Sequence, residues 1–151
     1  MTEQTLVLIK PDAVARGLVG AITARFEARG LQLVAINMQI ANPAQLYRHY
    51  HDLVDKPYYP DIVKSMTAGP LVAQVWAGRR VVPIVRNMIG DTDPITASSG
   101  TIRADYALSV GRNIIHASAN ESEAMEEIKI WFRPDDIIPR DNPLEVLLYR
   151  D

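Results

Sequence analysis

Cysteine is absent from all 151 residues, which excludes a disulfide framework, a thiolate nucleophile and thiolate metal sites. Four common chemical signatures are also missing. The chain has no Gly-x-x-x-x-Gly-Lys-Ser/Thr loop, no Gly-x-Gly-x-x-Gly fingerprint, no His-Glu-x-x-His pair and no Gly-x-Ser-x-Gly elbow. No apolar run approaches the length of a membrane span, and the opening Met-Thr-Glu-Gln-Thr lacks the basic start and apolar core of a secretion signal. Charge of one sign is not in excess either: a net charge of −2 counts against a general nucleic-acid binder, although a local basic cleft is compatible with it. No internal repeat, linker or low-complexity tract interrupts the chain. A cytoplasmic protein without a membrane segment is the expectation.

What is present suffices for one domain with a real core: 48% of residues are hydrophobic and 23% charged, an ordinary globular balance. A single domain over 1–151 is expected, with 134–151 as an extended C-terminal tail. The apolar run 6–9 has the character of a strand covered on both faces. Lys10 ends it, and Pro11 cannot donate to a sheet ladder, so Lys10 sits at a strand end. Both a surface lysine and a site lysine fit that place. Asp12 begins a turn. Leu18, Ile22 and Phe26 share one face of a helix that Gly30 can close. Val34, Ile36, Met38 and Ile40 alternate with Ala35, Asn37 and Gln39, which predicts a half-buried strand.

Asn42-Pro43 is a cap followed by a first-turn proline. Leu46, Tyr50, Leu53 and Val54 follow at helical spacing and put Tyr50 on the buried stripe, where most tyrosines are core. His49 and His51 point apart on such a helix and make a poor metal pair. The stretch 56–60 breaks the helix and holds Tyr58 and Tyr59 on a stiff loop, suited either to stacking on a flat ligand or to capping the core. A short helix over 61–67, an apolar strand over 71–77 and a helix over 81–89 come next. Val82, Val85 and Ile89 form the buried stripe of the last, beside Arg86. From 90 to 103 the sequence predicts a long loop, of a length that is often functional.

The organising stretch is 110–120, Val-Gly-Arg-Asn-Ile-Ile-His-Ala-Ser-Ala-Asn. Ile114 and Ile115 read as a short buried strand with His116 at its carboxyl end, the edge where open α/β sheets bind ligands. A neutral imidazole can attack an electrophile without a helper base, though a lone histidine also serves as a hydrogen-bonded core residue. Thr92 and the arginines at 86, 103 and 112 cluster around the loop and His116. Arginine reads phosphate in bidentate fashion, so this grouping points to a phosphate site. Asn120 opens the last long helix, with Glu123 at the capping-box position. Glu127 falls inside its apolar stripe of Ala124, Ile128 and Trp131. An inward carboxylate must be paired, and this one can fold back to orient His116 or else reach the rim of the helix.

These residues carry a resemblance. Asn113-Ile-Ile-His116-Ala-Ser118 resembles the Asn-x-x-His-Gly-Ser-Asp signature of the nucleoside diphosphate kinases. Ile9-Lys10-Pro11-Asp12, Arg16-Gly17-Leu18-Val19-Gly20, the segment 50–58, Gly100-Thr101-Ile102-Arg103 and Gly111-Arg112-Asn113 match that family as well. The resemblance implies a ferredoxin-like α+β fold: a β-α-β-β-α-β antiparallel sheet with extra helices and a C-terminal tail. It implies ping-pong transfer of the γ-phosphoryl group from a nucleoside triphosphate to a nucleoside diphosphate. His116 would be the nucleophile, oriented by Glu127 and Ser118. Arg86, Thr92 and Arg103 would hold phosphates, and Lys10 and Asn113 the ribose hydroxyls. Lys10 and Tyr50 would lie near the transferred group, and Tyr58 would stack on the base opposite Val110. Mg²⁺ would ride on the nucleotide phosphates, with no protein metal cage.

The chain departs from the pattern at four places. Ala119 replaces the usual Asp, Ala117 the usual Gly, Tyr58 a Phe and Lys56 an Arg. A non-catalytic ferredoxin-like module that senses nucleotides or binds a partner is the alternative, because one fold hosts many functions. No specific nucleic acid is expected. Leu144, Val146, Leu147, Leu148 and Tyr149 form an apolar cluster near the end of a tail without helical period. A neighbouring subunit is the expected cover, and the resemblance favours a homohexamer over a tetramer, with the 90–103 loop at the trimer contact; the alternative is a tail folded back on its own subunit in a dimer or tetramer.

Overall fold

A computed structural model describes residues 2–150; Met1 and Asp151, the two ends of the expected domain and tail, lie outside the described residues. The chain runs β1 (Thr2–Ile9), α1 (Pro11–Ala15), α2 (Val19–Arg29), β2 (Gln32–Gln39), α3 (Pro43–His49), α4 (Tyr59–Met66), β3 (Leu71–Arg79), α5 (Val81–Ile89), α6 (Ile102–Tyr106), β4 (Ile115–Ala117), α7 (Glu121–Trp131), a 3-10 turn at Pro134–Asp136 and α8 (Glu145–Leu148). The four strands form one sheet in the order β2-β3-β1-β4, and every pairing is antiparallel. This is the ferredoxin-like arrangement with added helices.

Central position explains the unbroken apolar run in β1. It lies between β3 and β4, and helices pack on both of its faces. Val7 and Ile9 join one core cluster, with Ile22 and Phe26 of α2 and Val82, Val85 and Ile89 of α5. Leu6 and Leu8 join the other, with Leu46 of α3, Met66 of α4 and Ile128 and Trp131 of α7. Fully burying each such side chain stabilises the fold by about 1.5–3 kcal/mol. Gly30 closes α2 in the left-handed conformation at φ 100°, which a side chain would resist. Asn42 and Gln45 cap each other at the start of α3, and Asn120 caps α7 by accepting from the Glu123 N–H.

Five local expectations change. First, His116 is the middle residue of β4, opposite Leu8, and an antiparallel sheet has no common carboxyl edge. Ile114 lies outside the strand at φ 65°, held by its N–H to Asp12 Oδ2 (3.1 Å) and by the Lys10 N–H to its carbonyl (2.9 Å). Second, Asp12 lies in the first turn of α1, not in a loop.

Third, the outward face of β2 is the reverse of the one expected. A bulge between Leu33 and Ala35 inserts Val34, so Val34 and Ala35 are both buried. Beyond it the alternation flips, and Ile36, Met38 and Ile40 are left exposed at 52%, 62% and 68% along a sheet edge. Fourth, α3 ends at His49, so Tyr50 is its C-terminal cap and Leu53 and Val54 sit in turns; α6 in turn shortens the 90–103 loop and carries Arg103.

Fifth, the tail folds back on its own subunit. Ile138 N–H donates to the Val34 carbonyl (2.9 Å) and Arg140 to the Leu33 carbonyl (2.6 Å), tying it along β2. Its short α8 is pinned by Arg79, which pairs with Glu145 at 2.6 Å and lies over the Tyr149 ring at 4.2 Å. Tail and domain are therefore joined within one chain, while Val146 and Leu147 stay exposed.

Candidate active site

Beside the sheet lies a cavity of about 590 Å³ whose wall includes Lys10, Tyr50, Tyr58, Arg86, Thr92, Arg103, Val110, Asn113 and His116. The fold thus gathers all nine from segments spread between residues 10 and 116. Ser118 and Glu127 are both buried behind His116.

His116 is fixed from behind. Its Nε2 is 3.0 Å from Glu127 Oε1, which also accepts from Ser118 Oγ at 2.7 Å. Ser118 Oγ in turn accepts the Leu6 N–H at 3.3 Å, so the network is anchored to β1. Burial pushes the Glu127 carboxyl upward, but the hydrogen bond and charge of His116, with help from His49 and Ser118, hold it below the usual range overall. Glu127 is therefore a carboxylate acceptor. The proton of neutral His116 sits on Nε2, and Nδ1 carries the free lone pair. This answers how an acidic side chain survives in the apolar stripe of α7: it is paired, not turned to the rim.

The basic groups differ in kind. Arg103 is buried, and its nitrogens donate to the carbonyls of Gly90 (2.9 Å), Ile115 (2.7 Å) and Asn113 (3.4 Å). It binds the loop to β4 and presents a cation compensated by carbonyl dipoles. Burial first, then Arg86, lowers it to about 10, so it remains charged at neutral pH. Arg86 is exposed and donates to the Ala117 carbonyl at 3.2 Å. Arg112 is not part of the group; it donates to Ser65 Oγ at 2.8 Å and braces α4. Lys10 donates to Asn113 Oδ1 at 2.7 Å, while Asn113 Nδ2 donates to the Thr92 carbonyl at 3.1 Å. Burial, then repulsion from Arg103, lowers the Lys10 amine to about 8. Tyr50 is half-buried, and burial, then Glu127, pushes its phenol well above the ordinary range. It stays a neutral hydroxyl. Tyr58, 48% exposed, is the N-terminal cap of α4 and offers a ring face at the cavity mouth.

His49 escaped the sequence reading, which treated it only as half of a poor metal pair with His51. It is 6% exposed and its ring centroid lies 4.4 Å from that of His116. Helical spacing could have revealed it: His49 falls three residues after buried Leu46, on the inward side of α3. Together His49, His116 and Glu127 offer three ligand atoms within 4.8 Å of one another. Three of the polar atoms in this group already hold hydrogen bonds, however. His49 Nδ1 accepts the Trp131 indole N–H at 3.1 Å, which leaves the proton on Nε2, and Glu127 Oε1 holds two hydrogen bonds. The arrangement is that of a histidine held by hydrogen bonds.

A histidine with a free Nδ1, facing a cavity rimmed by two arginines, a lysine and an aromatic ring, can accept a phosphoryl group from a nucleotide. The comparisons with known proteins agree. Residues 3–137 match the family model described as nucleoside diphosphate kinase. Nucleoside diphosphate kinase B of Homo sapiens is 48% identical over 136 residues, covering 90% of each chain. A halophilic nucleoside diphosphate kinase from Halobacterium salinarum, solved in complex with CDP, superposes with a TM-score of 0.96 at 36% identity, covering 99% of this chain and 100% of that one. The enzyme of Encephalitozoon cuniculi superposes with a TM-score of 0.94 at 41% identity, covering 97% and 99%. On its fold, its site and these relatives, the chain belongs to the nucleoside diphosphate kinase family.

Proposed function

We propose that this protein moves the γ-phosphoryl group of a nucleoside triphosphate onto a nucleoside diphosphate in two half-reactions through His116. The observation that carries the reading is the Ser118–Glu127–His116 network, which leaves Nδ1 as the free nitrogen of a histidine lining the basic cavity. In the first half-reaction the Nδ1 lone pair attacks the γ-phosphorus. The Nδ1–P bond forms, the bridging P–O bond breaks, and the diphosphate leaves with the bonding electrons. The ring becomes positively charged, and Glu127 compensates through Nε2–H. In the second, a terminal oxygen of another nucleoside diphosphate attacks the same phosphorus and returns the electron pair to Nδ1.

Phosphoryl transfer needs positioning and charge stabilisation above all. Arg86, Thr92 and Arg103 hold the phosphates in this reading. Lys10 and Asn113 take the ribose hydroxyls, and Lys10 with Tyr50 stands near the transferred group. Tyr58 stacks on the base against Val110, a contact that tolerates any base and suits broad nucleotide use. Mg²⁺ fits as an ion carried on nucleotide phosphates, since Arg86, Thr92 and Arg103 are cationic or neutral and Ala119 supplies no carboxylate. When bound it neutralises phosphate charge. A non-catalytic sensor would have no use for a nucleophile with an assigned tautomer.

The proposal extends to a cytoplasmic homohexamer built as a trimer of dimers. Exposed Ile36 and Met38 on the edge strand, Ile40 just past its end, Ile95 in the 90–103 loop, and Val146 and Leu147 in the tail support further contacts between copies. Initial rates with ATP and GDP varied together test the reaction. Parallel double-reciprocal lines are expected, and intersecting lines would contradict a shared phosphoenzyme.

A further inference from the structure

The hydrogen bond to Glu127 fixes which edge of the His116 ring faces the carboxylate. A single contact at one nitrogen still leaves the ring plane free to tilt about it. Something must limit that tilt. In this site the obstacle is His49, whose ring stands 75° to that of His116 with centroids 4.4 Å apart. His49 is itself tightly held. It ends α3, packs edge-on to Tyr50 at 4.7 Å and to Trp131 at 5.6 Å, and receives the Trp131 N–H on Nδ1 at 3.1 Å. On the side away from the nucleotide cavity, His49 and Glu127 line a second cavity of about 580 Å³ that His116 does not reach. They are the partition between it and the nucleophile.

We propose that His49 is a positioning residue for phosphoryl transfer: its buried imidazole, locked as the Nε2–H tautomer by Trp131, fixes the ring plane of His116 so that Nδ1 faces the nucleotide. The lock has an electrostatic side. An indole N–H is a donor only, so protonating His49 at Nδ1 would set two donors against each other. Burial, followed by repulsion from His116, keeps His49 neutral down to about pH 3, against attraction from Glu127. The other charged groups that act on it are Lys10 and His51, both opposing protonation. The wall therefore carries no charge when His116 becomes positive during transfer. Its Nε2 has no hydrogen-bond partner among the described residues.

The inference rests on His116 being the phosphorylated residue, and the experiment separates the two. Phosphoenzyme formation from ATP is followed in a single turnover for the wild type, His49→Ala and His49→Phe, with nucleotide affinity measured in parallel and folding checked by circular dichroism. His49→Ala should slow phosphorylation on the order of a hundredfold with nucleotide affinity little changed. His49→Phe, which restores a flat wall, should recover most of that loss. A wild-type rate in folded His49→Ala, or a folded His49→Phe as slow as His49→Ala, would overturn the proposal. Should His49→Ala not fold, ¹⁵N NMR of the wild type decides: His49 must be the Nε2–H tautomer and must not titrate between pH 5 and 8. An Nδ1–H tautomer or a titration in that range would refute the lock. Failure of the wild type to form any phosphoenzyme would instead overturn the reaction itself.

Discussion

Glu127 Oε1 lies 3.0 Å from Nε2 of His116, although the two residues sit on different elements, the middle of a three-residue strand and the inward face of α7. The pairing assigns the tautomer of His116 and leaves Nδ1 to react. Glu127→Gln keeps the length of the side chain and an oxygen for Ser118, but removes the charge that compensates the phosphorylated ring. The helix should be retained and phosphoenzyme formation should slow by roughly 10–100-fold. Single-turnover rates check this, and an unchanged rate would reduce Glu127 to a packing role.

The same pair links activity and stability to acid. The folded pKa of Glu127 is depressed, so its contribution to stability is present above the unfolded carboxyl pKa and is lost as pH falls through the folded value. Thermal melts of the wild type should lose more stability than those of Glu127→Gln as pH drops below about 4.3. Equal slopes in the two proteins would remove the link.

Lys10 sets a limit on the alkaline side. Burial and Arg103 bring its amine to about 8, so free enzyme loses that charge as pH rises through this value. The pH profile of kcat/KM reports groups of the free enzyme and should fall above pH 8. Lys10→Arg keeps a cation at all accessible pH values and should move that limb upward, whatever its effect on the maximal rate. A limb that stays in place would assign it to another group.

Gly90 illustrates how loop conformation supports the site. It has φ 85° and ψ −178°, and an added Cβ would stand 2.5 Å from Thr101 Oγ1, the group that caps α6. Its carbonyl also accepts from Arg103. Gly90→Ala should cost at least about 1–3 kcal/mol in backbone strain alone. Chemical denaturation reads this out, and a loss under about 0.5 kcal/mol, the range of ordinary surface substitutions, would contradict it.

Periodicity and punctuation made most of the fold legible. The continuous run in β1, the Gly30 stop, the Asn42-Pro43 start and the Val81–Ile89 helix are local signals, and each is found where local physics puts it. The reversed face of β2 was not legible, because a one-residue bulge changes no residue type yet flips every side chain beyond it. The left-handed Ile114 was hidden too, because its conformation depends on Asp12, which is about a hundred residues distant in sequence. Among site residues, Glu127 announced itself as a carboxylate in an apolar stripe. His49 did not, since its role comes from the approach of α3 and α7, and Arg112 looked equivalent to Arg103 until burial separated them.

Assembly has its own test. Light scattering on the intact chain should give six subunits. A version stopped after Pro134 should melt at lower temperature, because it loses the Ile138 and Arg140 bonds to β2 and the Arg79–Glu145 pair. A tetrameric intact protein, or a truncation that leaves both mass and melting unchanged, would contradict the hexamer and the anchoring of the tail.

The most direct test of the central claim is covalent. The protein is incubated with γ-labelled ATP, freed of nucleotide, and examined for label that survives base and is released by acid. The account predicts one such label, mapping to Nδ1 of His116, transferable to GDP and missing from His116→Ala with nucleotide binding retained. A wild type that carries no label, or a His116→Ala variant that still exchanges phosphoryl groups between ATP and GDP at the wild-type rate, would contradict it.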